Sequence, residues 1–389
     1  MNLTKKLSLT LVMSLTAVAL AGTPKATAQN QQRQPTPNDT LQSPRVSGDK
    51  KATISIYAPK ASEVTVSGDF SPGKPLPLTK SDNGVWSVTT GALRPDYYTY
   101  TLMVDGVRTV DPKNAVIKQG INSLENVMIV PGAENAFQEN KEVPHGEVRQ
   151  VWYKSGNLDM MRRMHVYTPP GYEKGTSKYP VFYLLHGGGD DDSGWNSIGR
   201  ASFILDNLIA SGKAKPMIVV MPNGSMPASA FPAGTAQTDR MNKMTDLYTA
   251  ELTKEVMPYV EKTYRVLSGR ENRAIAGLSM GGLQTLDLAL SNPDLFNYVG
   301  VWSSGFFGPT IDVAENKYAK ALKDPNFNKN KKLFLLQIGK DDFLMDASNK
   351  TKSLLDKNQI KYQYKETEGG HTWINWRQYL NEYAQVLFK

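Results

Sequence analysis

Ser279 lies in Gly277-Leu278-Ser279-Met280-Gly281-Gly282, a Gly-x-Ser-x-Gly string between an apolar run and a helical pattern. A serine hydroxyl is a weak nucleophile until an adjacent base takes its proton, so the string carries chemistry only where a turn presents the side chain. Arg273-Ala274-Ile275-Ala276 reads as a short buried strand, and Leu283, Leu286, Leu288 and Ala289 recur at helical spacing. The serine therefore falls on a strand-to-helix turn, a nucleophile elbow. Glycines on both flanks permit a sharp bend, and the following helix aims its positive end at the nucleophile.

An elbow of this kind takes its partners in the order serine, acid, histidine. Of the four histidines only His371 follows the serine, in a Gly369-Gly370-His371-Thr372-Trp373 loop that opens a C-terminal amphipathic helix. The acid must orient His371 through Nδ1 and leave Nε2 free to accept the serine proton. Lys332 to Ile338 is a buried-strand pattern that ends in Gly339-Lys340-Asp341-Asp342, and a carboxylate just past a strand can reach the imidazole. Spacing leaves Asp341, Asp342 and the later Asp346 open. Negative charge on a tetrahedral intermediate needs amide donors. Pro180 to Leu185 reads as a buried strand running into His186-Gly187-Gly188-Gly189, and the amides of Gly188 and Met280 are placed to form that oxyanion hole. His186 itself reads as a structural hydrogen-bonding residue.

The elements that must hold these residues divide the chain in two. Between about Gly48 and Pro131 short alternating stretches recur: Ala52 to Tyr57, Val64 to Ser67, Val85 to Val88 and Tyr97 to Val104, separated by Asp82-Asn83-Gly84 and Asp105-Gly106. That spacing predicts an immunoglobulin-like all-β sandwich over 48–131. Its tyrosines and Trp86 form either a sugar-stacking face or the sandwich core. Residues 132–147 read as a second linker. From 148 to 389 strands alternate with helical patterns, including an antiparallel opening pair, a strand at Met217–Met221 and a long helix over Asp246–Tyr264, which predicts an α/β hydrolase with a mainly parallel sheet covered by helices.

Residues 1–28 carry Lys5 and Lys6, an apolar run from Leu7 to Ala21 and Ala26-Thr27-Ala28, the pattern of a secretory signal cut after Ala28. A periplasmic or secreted protein is expected. No other apolar run approaches bilayer length, and with 0 cysteines there is no disulfide to form. Residues 29–47, rich in Gln, Pro, Thr, Asn and Ser, read as a flexible linker. The formal charge of +8 comes without a basic stripe or an aromatic RNA-binding signature, which excludes nucleic acid as the expected partner.

Tyr183-Leu184-Leu185-His186-Gly187-Gly188-Gly189, the elbow string, Gly339-Lys340-Asp341-Asp342-Phe343 and Gly370-His371-Thr372-Trp373 together resemble the esterase D-like group. Within it the likeness is to carbohydrate esterase family 1, the feruloyl and acetylxylan esterases. Val64-Thr65-Val66-Ser67-Gly68-Asp69-Phe70 through Asp105-Gly106 and Asp111-Pro112 is similar to a carbohydrate-binding module of family 48. The resemblance implies a Ser279, Asp342, His371 triad, choosing the second aspartate of the pair, with oxyanion amides at Gly188 and Met280. It implies hydrolysis of feruloyl esters on arabinoxylan-type plant polysaccharide, without a cofactor or a metal. Acetylxylan esterase, an enterochelin-type siderophore esterase and a non-catalytic carbohydrate-binding protein are the alternatives.

A cinnamoyl ring needs a flat apolar slot. Trp195, Phe231, Phe306, Phe307, Trp373 and Trp376 are the aromatic candidates; Trp195 and Trp373 fall in loops beside the proposed site and lead, with Phe231 kept beside them and Trp376 assigned to core packing. The run Asp190-Asp191-Asp192 precedes a helix, and capping and solvation account for it without a cation.

Overall fold

The computed structural model describes residues 33–389. The signal segment at 1–28 lies outside the described residues. Period-two alternation yields ten strands: β1 (Arg45–Val46), β2 (Lys51–Tyr57), β3 (Val64–Gly68), β4 (Leu76–Pro77), β5 (Thr79–Lys80), β6 (Val85–Ala92), β7 (Asp96–Val104), β8 (Val107–Thr109), β9 (Ile117–Gln119) and β10 (Leu124–Val130). They pair antiparallel in two sheets, β1-β2-β6-β5 and β4-β3-β7-β10-β9, with β8 on β7. Asp105 and Gly106 both adopt positive φ, 47° and 80°, and close the β7–β8 hairpin as Asp-Gly turns do.

The core between these sheets consumes the aromatic residues. Trp86, Tyr98 and Tyr100 are buried with Ile54, Val66 and Leu102, and Tyr97 is buried in a second cluster shared with the following domain. Their polar atoms are satisfied inside: Trp86 Nε1 donates to Ala58 O at 2.9 Å and Tyr100 OH to Asp111 Oδ2 at 2.8 Å. Of the two readings of Trp86 and these tyrosines, the sandwich core is the one the structure shows, because each ring packs inward.

Both linkers also differ from expectation where they are described. In the 29–47 stretch, β1 pairs with β2, and Ser43 is buried, donating to Asp111 and accepting from the Ser55 amide. In the 132–147 stretch, Ala133–Gln138 forms a 3₁₀ turn whose carbonyls are taken up by the second domain. Asn207 Nδ2 donates to Phe137 O and Glu139 O, and Arg200 Nε to Gln138 O. Polar composition reads as linker, yet these backbones have partners that lie far away in the chain.

Eight strands follow: β11 (Glu147–Ser155), β12 (Met160–Thr168), β13 (Val181–Leu185), β14 (Ile218–Pro222), β15 (Arg273–Leu278), β16 (Tyr298–Trp302), β17 (Leu333–Gly339) and β18 (Gln363–Thr367). Their order is β11-β12-β14-β13-β15-β16-β17-β18. The β11–β12 and β12–β14 pairs are antiparallel and the rest parallel. Apart from Arg273 at the start of β15, strands β13 to β16 are apolar and buried on both faces, as a helix-covered parallel sheet requires. The helices are α1 (Ala201–Ala210), α2 (Gln237–Glu251), α3 (Met257–Thr263), α4 (Met280–Ser291), α5 (Thr310–Lys317), α6 (Ala319–Leu322), α7 (Met345–Lys357) and α8 (Trp373–Ala384). A π turn, Leu252–Val256, joins α2 to α3, so the helix expected over Asp246–Tyr264 begins nine residues earlier through a polar segment without apolar periodicity.

The two domains are bolted together. Arg377 on α8, fully buried, reaches into the sandwich with Nη2 2.7 Å from Asp96 Oδ1 and 2.9 Å from Tyr97 O, while Nη1 donates to Ile198 O. Tyr97 and Val127 of the sandwich belong to the same apolar cluster as Trp195, Trp302 and Trp373.

Candidate active site

Register places the chemistry at one edge. Leu278 pairs with Trp302, Trp302 with Gln337, and Gly339 with Thr367, so the loops that follow β15, β16, β17 and β18 emerge side by side at the carboxyl ends of the parallel strands.

Ser279 occupies the turn between β15 and α4 at φ 51° and ψ −118°, a conformation that costs a non-glycine residue about 1–3 kcal/mol. Surrounding contacts hold it there. Its amide donates to Trp302 O at 2.9 Å, and its carbonyl accepts from Ser304 Oγ at 2.7 Å and from the Leu283 amide at 3.1 Å. The flanking glycines serve close approach: a Cβ at Gly277 would sit 2.3 Å from Gly281 O, and one at Gly281 would sit 2.5 Å from His186 O. The bend itself falls on the serine.

The oxyanion loop abuts this turn. A Cβ on Gly187 would lie 3.3 Å from Ser279 Cβ and 2.5 Å from a Leu278 methyl. Met280 is the first residue of α4, so its N–H has no acceptor within the helix, and the Gly188 amide donates to no described residue. His186 is buried, with Nδ1 donating to Gly187 O and Nε2 accepting from the Gly224 amide, both at 2.8 Å. That pair of bonds fixes one neutral tautomer. Because a peptide is planar, holding the Gly187 carbonyl also fixes the direction of the Gly188 N–H.

His371 and Asp342 are brought together. His371 Nδ1 lies 3.0 Å from both Asp342 oxygens, and the buried carboxylate also accepts from the Leu344 amide at 2.9 Å. Asp341 is exposed, and Asp346 is exposed and paired with Lys350 at 2.8 Å; neither contacts the imidazole. The ring is held between Phe343, 4.3 Å away, and Trp376, which meets it edge-on at 5.0 Å and donates from Nε1 to Ser303 Oγ. Ser279 Oγ makes no hydrogen bond to a described residue, so the Ser279–His371 link is the one the geometry leaves open.

The aromatic candidates divide differently from expectation. Trp195 and Trp373 are 1% and 4% exposed, meet edge-to-face at 5.0 Å, and continue into Trp302 on one side and Trp376 on the other. Trp195 Nε1 is spent on Leu185 O. They form a buried indole stack behind the histidine and offer no open face to an acyl ring. Phe306 stacks on Tyr318 in the core, and Phe231 lies in the loop before α2 with Arg240 over its ring. Phe343, passed over in the sequence although it follows Asp342 directly, is 74% exposed beside His371. It borders a cleft of about 730 Å³ between the domains, lined by Phe70, Leu93 and Arg94 from the sandwich and by Phe343, His371 and Ile374 from the esterase side.

The acidic run is not solvated. Asp190, Asp191 and Asp192 are all buried and none caps α1, Asp191 accepting only from the amide and hydroxyl of Ser193 in a local turn. Lys118 pairs with Asp190 at 2.6 Å, Arg163 with Asp191 and Asp192 at 2.8 Å, and His165 Nδ1 with Asp192 at 2.7 Å. Burial pushes the Asp192 carboxyl up, but hydrogen bonds from His165 and Arg163 outweigh it and hold it below the ordinary range. Among the described residues no group of three or more His, Cys, Asp or Glu side chains is placed to hold a metal ion, and no helix is long and apolar enough to cross a membrane.

The family model described as "Putative esterase" matches residues 155–386, and that of carbohydrate-binding module 48 (isoamylase N-terminal domain) matches residues 42–117. The endo-1,4-beta-xylanase/feruloyl esterase of Xylanibacter ruminicola is 32% identical over 353 residues, 89% of this chain and 46% of that protein. The chain thus spans about half the length of that relative. A CE1 ferulic acid esterase from the anaerobic fungus Anaeromyces mucronatus is 26% identical with a TM-score of 0.55, covering 65% of this chain and 94% of the other. The enterobactin esterase FES of Shigella flexneri, 17% identical, shares the fold across 87% of this chain and 92% of its own at a TM-score of 0.65.

Proposed function

We propose that this chain, which belongs to the esterase family and is built like the CE1 ferulic acid esterases behind a family 48 module, is an exported serine esterase that releases feruloyl groups from arabinoxylan-type plant polysaccharide. One observation carries the reading: an imidazole held by a buried carboxylate stands at the same sheet edge as a serine in an elbow conformation. Export rests on residues 1–28 alone.

In the reaction, His371 Nε2 takes the Ser279 proton as Oγ bonds to the ester carbonyl carbon. The carbonyl oxygen becomes an oxyanion and accepts from the Gly188 and Met280 amides, and Asp342 stays ionised beside the imidazolium. The carbon–oxygen bond to the sugar then breaks, and His371 returns its proton to the departing sugar oxygen. Water next gives a proton to His371 and its oxygen to the acyl carbon, and Ser279 leaves with that proton. Hydrolysis balances with water alone, so the proposal calls for no cofactor. The interdomain cleft beside His371 suits the glycan, and the exposed Phe343 ring suits a flat aromatic acyl group.

Burial of Trp195 and Trp373 favours a second reading. With those indoles removed from the acyl slot, a smaller acyl group would suffice, which is acetylxylan esterase by the same steps. Mature protein and a Ser279→Ala variant would be incubated with feruloylated arabinoxylan and with acetylated xylan. Ferulate released by the wild type alone supports the first reading, acetate without ferulate selects the second, and silence on both overturns the two together.

A further inference from the structure

The oxyanion loop is held from outside its own domain. Three consecutive glycines, Gly187 to Gly189, give that loop more backbone freedom than any other part of the site. His186 and the Ser279 turn anchor its first half. Beyond Gly188, which a Cβ would leave in open space, the second half is gripped by the sandwich. The Ile121 amide donates to Gly189 O at 3.0 Å, and Lys118 on β9 reaches Asp190 Oδ1 at 2.6 Å with both side chains less than 10% exposed. Gly120 passes so close that a Cβ there would stand 2.4 Å from Gly189 O. Lys118 is itself fixed by Glu125 Oε2 at 2.7 Å. Burial disfavours its ammonium, yet Asp190 and Glu125 together hold its pKa above the usual lysine value, so it stays charged in place.

We infer that Lys118 and the Gly120–Ile121 backbone of the sandwich are positioning elements for the oxyanion hole, acting on the hydrolysis step through Gly189 and Asp190 and not only on polysaccharide capture. The inference rests on Gly188 being an oxyanion donor, as proposed above. An amide that must meet charge developing in the transition state stabilises it only while its direction is held. Loosening the far end of a glycine loop therefore lowers turnover without weakening ground-state binding.

The test uses the whole mature chain and a soluble small ester, methyl ferulate, which is too short to need a polysaccharide-binding surface. Lys118→Met removes the charge, Gly120→Ala pushes on Gly189 without touching any charge, and Lys118→Arg is the conservative restoration. The expected result is a fall in kcat of about tenfold for the first two, a fraction of the roughly 10²–10³ lost with a whole oxyanion donor. KM should stay within about twofold, and Lys118→Arg should recover most of the rate. Inhibition by a boronic acid, which forms a tetrahedral adduct on the serine, should weaken in parallel with kcat while ferulate product inhibition does not change. Folded variants with wild-type kcat, or a rise in KM alone, would overturn the inference. Should Lys118→Met fail to fold, Gly120→Ala decides. A wild type whose methyl ferulate hydrolysis is absent or survives Ser279→Ala overturns the functional reading instead, and this one with it.

Discussion

Two of the aspartate–histidine pairs among the described residues, both with a largely buried imidazole, look alike and sit in opposite surroundings. His371 and Asp342 meet at 3.0 Å beyond β17 and β18, and His165 and Asp192 meet at 2.7 Å beside β12. Each imidazole is fixed through Nδ1, and each carboxylate is buried. The difference lies in what else the carboxylate serves. Asp192 also takes two hydrogen bonds from Arg163 Nε and one from Nη2, so its charge is already matched by a permanent cation. Among the described residues Asp342 has no lysine or arginine within bonding distance, and it serves His371 and one backbone amide. A transient imidazolium gains most from a carboxylate that no arginine has neutralised. The pair alone is thus a poor marker of catalysis; position beside an elbow and an uncommitted carboxylate are the discriminating features.

Catalysis should depend on His371 and not on His165. His371→Ala should lower kcat on methyl ferulate by at least about 10⁴-fold, as loss of a triad member does, whereas His165→Ala should leave it within about threefold; steady-state kinetics on both variants decides. The aspartates should split by observable. Asp342→Asn should cost about 10⁴ in kcat with little change in unfolding, and Asp192→Asn should spare kcat but cost about 3 kcal/mol of stability by removing the buried anion that Arg163 and His165 share, read from urea midpoints.

A smaller effect tests the exposed face of the His371 pair. Phe343→Ala should raise KM for methyl ferulate about two- to tenfold, the worth of one aromatic contact, and leave 4-nitrophenyl acetate unchanged; equal effects on both esters would assign Phe343 to holding the imidazole. The smallest effect is in acid. Asp192 titrates below its unfolded value when folded, so its contribution to stability is complete above the ordinary carboxylate pKa, near 4, and is lost as pH falls through the lower folded value. Acid unfolding of Asp192→Asn should accordingly be less steep below pH 4 than that of the wild type, and an unchanged slope would remove the pair from the acid response.

Local pattern carried far in this chain. Alternation located β2, β3, β6 and β7, the Asp-Gly turn, and the strand-turn-helix around Ser279, because each depends on neighbours within a few residues. The order of serine and histidine singled out His371 for a similar reason, since one fold imposes one order. Spacing could not separate Asp341 from Asp342, and the resemblance chose between them. In the folded chain the two differ by facing: a step of one residue turns Asp341 to solvent and Asp342 to the imidazole.

What lay beyond the sequence was what covers what. The sequence pattern puts Trp195 and Trp373 in loops, and loops are read as open, yet Trp373 opens α8, and the sandwich and α8 close both indoles into the stack behind His371. Asp190 to Asp192 read as a solvated run because their cations, Lys118 and Arg163, lie 72 and roughly 28 positions away. Chain order, turn type and strand period are set by short-range sterics and are written in the residues themselves. Burial, and with it whether an aromatic ring binds or braces and whether a carboxylate is free or spent, depends on surfaces brought together from distant segments, and so only the tertiary structure decided it.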